Sequence, residues 1–280
     1  MGLRLAGLVC DGAGAVNEDA AGYLGDPDNV TAAWVLDGVT GINAQPLYPA
    51  GSDAAWFVHQ AEAELRQLLL EPVPLPVIMS ALVDHLVTAS RAPASADYDP
   101  PACCLLLVRE HEGRWDAVRI GDSSLLVSER NGQFFQYTEF PLQWLDRELK
   151  LKTKAMRLRG SPQADIVKEF RPMIQESRQG RNRPGGYGIL EADPHCLDFA
   201  QYIAIEDPRA ILLCTDGFYR LVENYQIFDD SGLLEAAVKM RPESLLNQLR
   251  AIEGADPDCR RFPRFKPSDD AACVCLASEK

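Results

Sequence analysis

Acidic residues stand at the ends of short apolar segments along the whole chain, and this placement limits the fold more than any other feature of the sequence. Asp37-Gly38 follows AAWVL, Asp122 follows AVRIG, Asp216-Gly217 follows AILLCT, and Asp269-Asp270 precedes AACVCL. Glu18-Asp19 runs into the small-residue segment AAGY. The apolar segments at 31–36, 102–108, 115–120, 125–128, 210–214 and 271–276 read as strands. A carboxylate at the end of a strand is held by a rigid element, so several can converge on one point. Converging oxygen ligands suit Mg²⁺ or Mn²⁺ rather than zinc. A single Asp-Gly pair is an ordinary turn signal. The ordered series carries the chemistry.

Between these strands lie two amphipathic helical patterns. Over 53–70, Ala54, Val58, Ala61, Leu65 and Leu68 fall on one stripe; over 77–91, Ile78, Leu82 and Leu86 do the same, widened by Met79 and Val83. The proline-rich break EPVPLP separates them, because proline cannot continue a helix. Shorter helical patterns occur at 146–159, 233–240 and 244–252. Strands, then helices, then strands again predict an α+β layered domain rather than a doubly wound sheet. With 46% apolar residues over 280 positions there is material for a sizeable core, which excludes global disorder.

Charge is unevenly spread. The net charge is −13 and the pI about 4.8, which argues against nucleic acid as a partner, since phosphate contacts need clustered Lys and Arg. The segment 140–190 departs from this: it carries eleven Lys/Arg against five Asp/Glu, a local +6 that leaves −19 elsewhere. It ends in an Arg- and Gly-rich loop, RQGRNRPGG. No stretch approaches the apolar length of a membrane span, the first residues are too weakly apolar for a signal peptide, and Ala6 breaks the myristoylation pattern. The eight cysteines show no zinc spacing. They read as small core residues of a cytoplasmic protein.

Taken in order, NEDA (17–20), VLDGVTG (35–41), RIGDSSLLV (119–127), LLCTDGFYRLV (212–222) and SDDAACVCL (268–276) resemble the type 2C metal-dependent serine/threonine protein phosphatases, in a bacterial-type form. The resemblance spans positions 17 to 276, so residues 1–280 are expected to form one phosphatase domain with a variable flap-like segment at about 140–190. It implies a four-layer α-β-β-α sandwich with two antiparallel central sheets and two Mn²⁺ or Mg²⁺ ions in a cleft at their edge. By position, Asp37 would bridge both ions, the Gly38 carbonyl would ligate one, and Asp216 and Asp270 would hold the second. Asp19 and Glu18 would act through metal-bound water, and Asp122 matches the residue that bacterial members use with the TDG aspartate for a third, weaker ion. Asp37 and Asp216 are thus the catalytic candidates. The implied reaction is attack of a metal-bridged hydroxide on phosphoserine or phosphothreonine, a use of metals that lowers the pKa of water and offsets phosphate charge.

Three positions depart from the family pattern. Gly14 stands where many members carry a phosphate-gripping arginine, Val39 where some carry a histidine, and Ala271 where an asparagine usually follows the last metal-binding aspartate. A guanidinium fork is hard to replace. The alternative reading is therefore a catalytically silent member that binds a phosphoprotein or a kinase; a third is hydrolysis of a small phosphate ester. The basic segment is expected to draw in a phosphorylated protein, such as a cognate kinase or its substrate, and Arg181, Arg183 and Arg220 are the candidates for substrate binding. Cys103 and Cys104 lead into an apolar strand rather than an anion-binding loop, which disfavours a thiol phosphatase. His59, His85, His111 and His195 show no ligand spacing, and Trp34, Phe57 and Trp115 read as core aromatics.

Overall fold

The computed structural model describes residues 2–43, 45–90, 98–138 and 143–278. Strands β1 (Arg4–Asp11), β2 (Asp19–Asp26) and β3 (Asn29–Gly38) precede helices α1 (Asp53–Leu68) and α2 (Leu75–Ala89). Then come β4 (Cys103–His111), β5 (Arg114–Ile120), β6 (Ser124–Glu129), β7 (Phe134–Tyr137), α3 (Gln143–Leu158) and α4 (Gln163–Arg178). A 3₁₀ turn (Pro194–Phe199), β8 (Gln201–Ile205), β9 (Pro208–Cys214), α5 (Asp216–Glu223), α6 (Asp230–Met240), α7 (Pro242–Ala255) and β10 (Ala271–Ala277) complete the chain. Position 91 of the second helical pattern and positions 140–142 of the basic segment lie outside the described residues.

The strands form two antiparallel five-stranded sheets, in the orders β1-β10-β9-β6-β7 and β2-β3-β4-β5-β8. Their inner faces meet through Ala33, Val35, Leu106, Val108, Ile211, Leu213, Ala272 and Val274. The outer face of one sheet is covered by α1 and α2, with Trp34, Leu36 and Leu105 packed against Phe57, Val58 and Leu82. The other is covered by α5, α6 and α7, with Leu212, Cys273 and Cys275 against Phe218, Leu233 and Leu249. This is the expected four-layer α-β-β-α sandwich. Both faces of each central strand are therefore buried, which explains why β10 reads AACVCLA with no polar alternation. Seven of the eight cysteines are buried, and Cys10 is exposed.

Helix α1 starts where the Ser52 hydroxyl accepts from the Ala55 amide at 3.0 Å, and Pro74 sets the extended entry to α2. The sequence patterns at 53–70 and 77–91 correspond to these two helices. Four strands lie outside the sequence reading: β1, β2, β7 and β8. So do α4, which contains Pro172, and α5. Helices α3 and α4 build a small layer of their own around Leu149, Ile166 and Phe170, closed by Phe265. No described helix is long and apolar enough to cross a membrane.

Candidate active site

One end of the sandwich opens into a cleft of about 460 Å³. Glu18, Asp19, Asp37, Gly38, Asp122, Asp216 and Asp270 all line it, so the structure brings together every acidic residue of the sequence series. Strand pairing does much of this. Asp19, first in β2, is the cross-strand partner of Asp37 near the end of β3, and Asp37 is in turn paired with Cys104 of β4. The opposing sheet positions Asp216, the first residue of α5 and two past β9, and Asp270, the residue just before β10.

Two glycines allow the connections to touch. A Cβ on Gly38 would sit 2.5 Å from the Glu18 carbonyl oxygen, and one on Gly217 would sit 1.9 Å from that of Asp270. Each Asp-Gly pair thus fixes its aspartate against the next acidic segment, with the Gly38 amide donating to the Glu18 carbonyl at 3.0 Å.

Thr215, fully buried, joins the sheets. Its hydroxyl donates to Asp19 Oδ2 at 2.9 Å and accepts from the Ala272 amide at 2.9 Å, while its own amide donates to the Ala272 carbonyl at 3.0 Å. Asp270 accepts from the amides of Ala13 and Glu18, both at 2.7 Å, and so anchors the loop from β1 to β2. Glu18 accepts from Thr40, and Asp122 accepts from the Cys104 thiol at 3.1 Å.

Like charges opposite one another in a strand pair repel, and burial worsens the repulsion. Burial raises the Asp37 carboxyl well above the usual range, and Asp19, Asp216 and Asp122 add to the rise. Asp19 is also raised by burial and by Asp216 and Asp270, against the hydrogen bond from Thr215. Asp216 faces the cleft but lies deep in it. Its carboxyl is raised by that depth and by Asp269, and it shares a hydrogen bond with Asp37.

Among the described residues, no three acidic, histidine or cysteine side chains are already arranged around one point as a metal cage. Their oxygens are turned instead to Thr215, to backbone amides and to each other. The donor chemistry still fits a hard divalent cation: all the groups are oxygens, their negative charge is mutually repulsive, and Asp270 keeps a second lone pair on each oxygen.

A carboxyl whose folded pKa exceeds its unfolded value binds more protons when folded. Its contribution therefore favours the fold at low pH and fades as pH rises through the raised values. In the metal-free protein, the melting temperature relative to Asp37→Asn is expected to fall as pH rises above the ordinary carboxylate value of about 4, and Mn²⁺ added at neutral pH is expected to reverse the loss. Calorimetry on both proteins checks this; a pH-independent difference would contradict it.

The basic candidates fare differently. Arg181 is buried and bonded to Asp99 and Glu191, each at 3.2 Å, and to the Pro100 carbonyl, so it ties the loop after α4 to the body and presents no head to a substrate. Arg183 is exposed and lies outside the cleft lining. Arg220 does line the cleft, but it is buried and paired with Asp269 at 2.6 Å and Glu253 at 3.4 Å. Sequence reasoning missed Thr215, Arg178 and Lys266. Arg178 pairs with Asp99 and donates to the Thr40 carbonyl at 2.6 Å, and Lys266 Nζ donates to Asp269 at 3.0 Å and to the Thr40 hydroxyl at 3.3 Å. At Gly14 a Cβ would meet nothing nearer than the Val16 carbonyl at 3.9 Å, so packing does not dictate the missing side chain.

A four-layer sandwich with an acidic cleft across the ends of both sheets is the architecture of the metal-dependent protein phosphatases. The chain belongs to the protein phosphatase 2C family, whose sequence profile matches residues 6–252. Solved structures agree in fold. The Mycobacterium tuberculosis serine/threonine phosphatase PstP/Ppp superposes with a TM-score of 0.59 at 16% identity, with 100% of both chains covered. The catalytic domain of the serine/threonine phosphatase PstP in complex with two manganese ions gives 0.57 at 18%, covering 98% of this chain and 97% of that one. Stp1 from Staphylococcus aureus gives 0.54 at 15%, covering 100% and 97%. A comparison with curated protein sequences found no match.

Proposed function

We propose that the chain is a metal-dependent phosphoprotein phosphatase acting on phosphoserine or phosphothreonine. The observation that carries this reading is the meeting of Asp19 and Asp37 from one sheet with Asp216 and Asp270 from the other, locked by Thr215. Asp37, the Gly38 carbonyl, Asp216 and Asp270 would hold two Mn²⁺ or Mg²⁺ ions, and Asp122 with Asp216 a third. Bound there, such ions supply charge neutralisation and water of lowered pKa.

The chain's own groups do the rest. Asp19 is oriented by Thr215, and Glu18 by Thr40, so both present fixed acceptors to cleft water. Fixed acceptors orient a water without reorganisation during the reaction. Arg220 and Lys266 balance Asp269, so the edge of the cleft is not purely anionic. The α3–α4 segment, with Arg178 bonded to Thr40, forms one wall and is the flap against which a protein substrate would lie.

Retention of the complete carboxylate set favours turnover over a silent binding role. Hydrolysis of an aryl phosphate and of a phosphothreonine peptide, each with Mn²⁺, tests this. Turnover of both is expected; peptide binding without turnover would favour the silent module, and turnover of the aryl ester alone would move the substrate class to small esters.

A further inference from the structure

A cleft that receives a phosphate dianion needs a cation whose head can leave its present partner. Among the described residues, Arg178, Arg220, Arg264 and Lys266 line this cleft. The Arg264 side chain is 1% exposed and is spent on Asp256 and on the carbonyls of Asp256, Phe262 and Pro267. Those of Arg178 and Arg220 are each 10% exposed, bound to Asp99 and Thr40 and to Asp269 and Glu253 respectively. Lys266 is 39% exposed, and its partner Asp269 is held independently by Arg220. The lysine can therefore turn away without leaving Asp269 unpaired.

The backbone beneath it is fixed from both sides. Arg264 Nε donates to the Pro267 carbonyl at 2.8 Å, spanning Lys266. The Phe265 carbonyl accepts from Gln163 at 3.1 Å and Arg157 at 3.2 Å, and its ring meets Phe170 edge-on at 5.8 Å. An anchored stem with a movable ammonium is suited to a phosphate, which lysine meets as a point charge.

We infer that Lys266 grips the substrate phosphate in this chain, supplying from the loop before Asp270 the cation that Gly14 does not provide. The inference rests on the phosphatase reading, and the test separates the two. Binding of inorganic phosphate to the Mn²⁺-loaded protein is measured by calorimetry for wild type, Lys266→Met, Lys266→Gln and Lys266→Arg. Lys239→Met, with its exposed side chain on α6, is a remote control of equal charge change.

Lys266→Met and Lys266→Gln are expected to weaken phosphate at least about tenfold. Lys266→Arg keeps most of the affinity, Lys239→Met all of it, and Mn²⁺ affinity stays the same throughout. The KM for an aryl phosphate rises in parallel. Unchanged phosphate affinity in the two neutral variants, an equal loss in Lys239→Met, or no phosphate binding by wild type overturns the role of Lys266. Lysine-dependent phosphate binding without any turnover would uphold that role and sink the phosphatase reading instead.

Discussion

Asp37→Asn is expected to lower Mn²⁺-dependent hydrolysis by at least about 10³-fold, the scale on which losing a preorganised charged group in a catalytic site acts, while making the metal-free protein more stable. The two effects share one cause. Asp37 faces Asp19 across the β2–β3 pair and lies beside Asp216, so its negative charge is costly to the folded chain until a cation offsets it. Asparagine keeps the shape and removes the charge. Relief on the order of 1 kcal/mol would raise the melting point by about 2 °C at neutral pH. Activity and calorimetry on the same preparation check both signs. A variant that loses activity and stability together would mark Asp37 as a structural residue rather than a ligand.

Gly217→Ala carries the second large effect. The new methyl would lie 1.9 Å from the Asp270 carbonyl oxygen and 3.3 Å from the Asp269 Cβ, so the start of α5 and the start of β10 must move apart. That separation strains the Thr215–Ala272 hydrogen bonds and, through them, the position of Asp19. A loss of roughly 3 kcal/mol is expected, at the upper end for overpacking, because backbone and not a flexible side chain is struck. Hydrolysis should fall with it. Gly254→Ala is the contrasting case: the site is exposed within α7 with nothing within 4 Å, and a gain of about 0.5 kcal/mol is expected. Chemical denaturation of both variants gives the comparison, and equal behaviour would remove the packing argument.

The acidic half of the site was legible because its residues border apolar segments whose strand character is strong. Asp37, Asp122, Asp216 and Asp270 each border such a segment in the sequence. The α+β layering followed from the same segments and the two-sheet sandwich from the family resemblance, but the four edge strands, β1, β7, β2 and β8, did not. In β2, DAAGYLGD, small residues and glycines carry little strand signal, and β8, QYIAI, is a five-residue and largely exposed edge strand. Pro172 broke the pattern of α4, which persists because its apolar face packs on Phe265.

The basic half was less legible for a different reason. Arg181 sits in a loop rich in glycine, which suggested a substrate contact, but Asp99, 82 residues earlier, and Glu191, ten residues later, pair with it and bury it. Thr215 was invisible in the same way: its role depends on Asp19, 196 residues away in sequence. Lys266 lies in an arginine-rich, proline-containing loop where one cation looks like the next. Which of these cations is exposed depends on how each is paired in the folded chain.

Phosphate release from a phosphothreonine peptide by wild-type protein, after exhaustive chelation and then Mn²⁺ readdition, tests the reading of the cleft most directly. No release after chelation and full recovery with Mn²⁺ is the expected result. Release that survives chelation, or none at any Mn²⁺ concentration, would contradict a metal-dependent phosphatase built on Asp19, Asp37, Asp216 and Asp270.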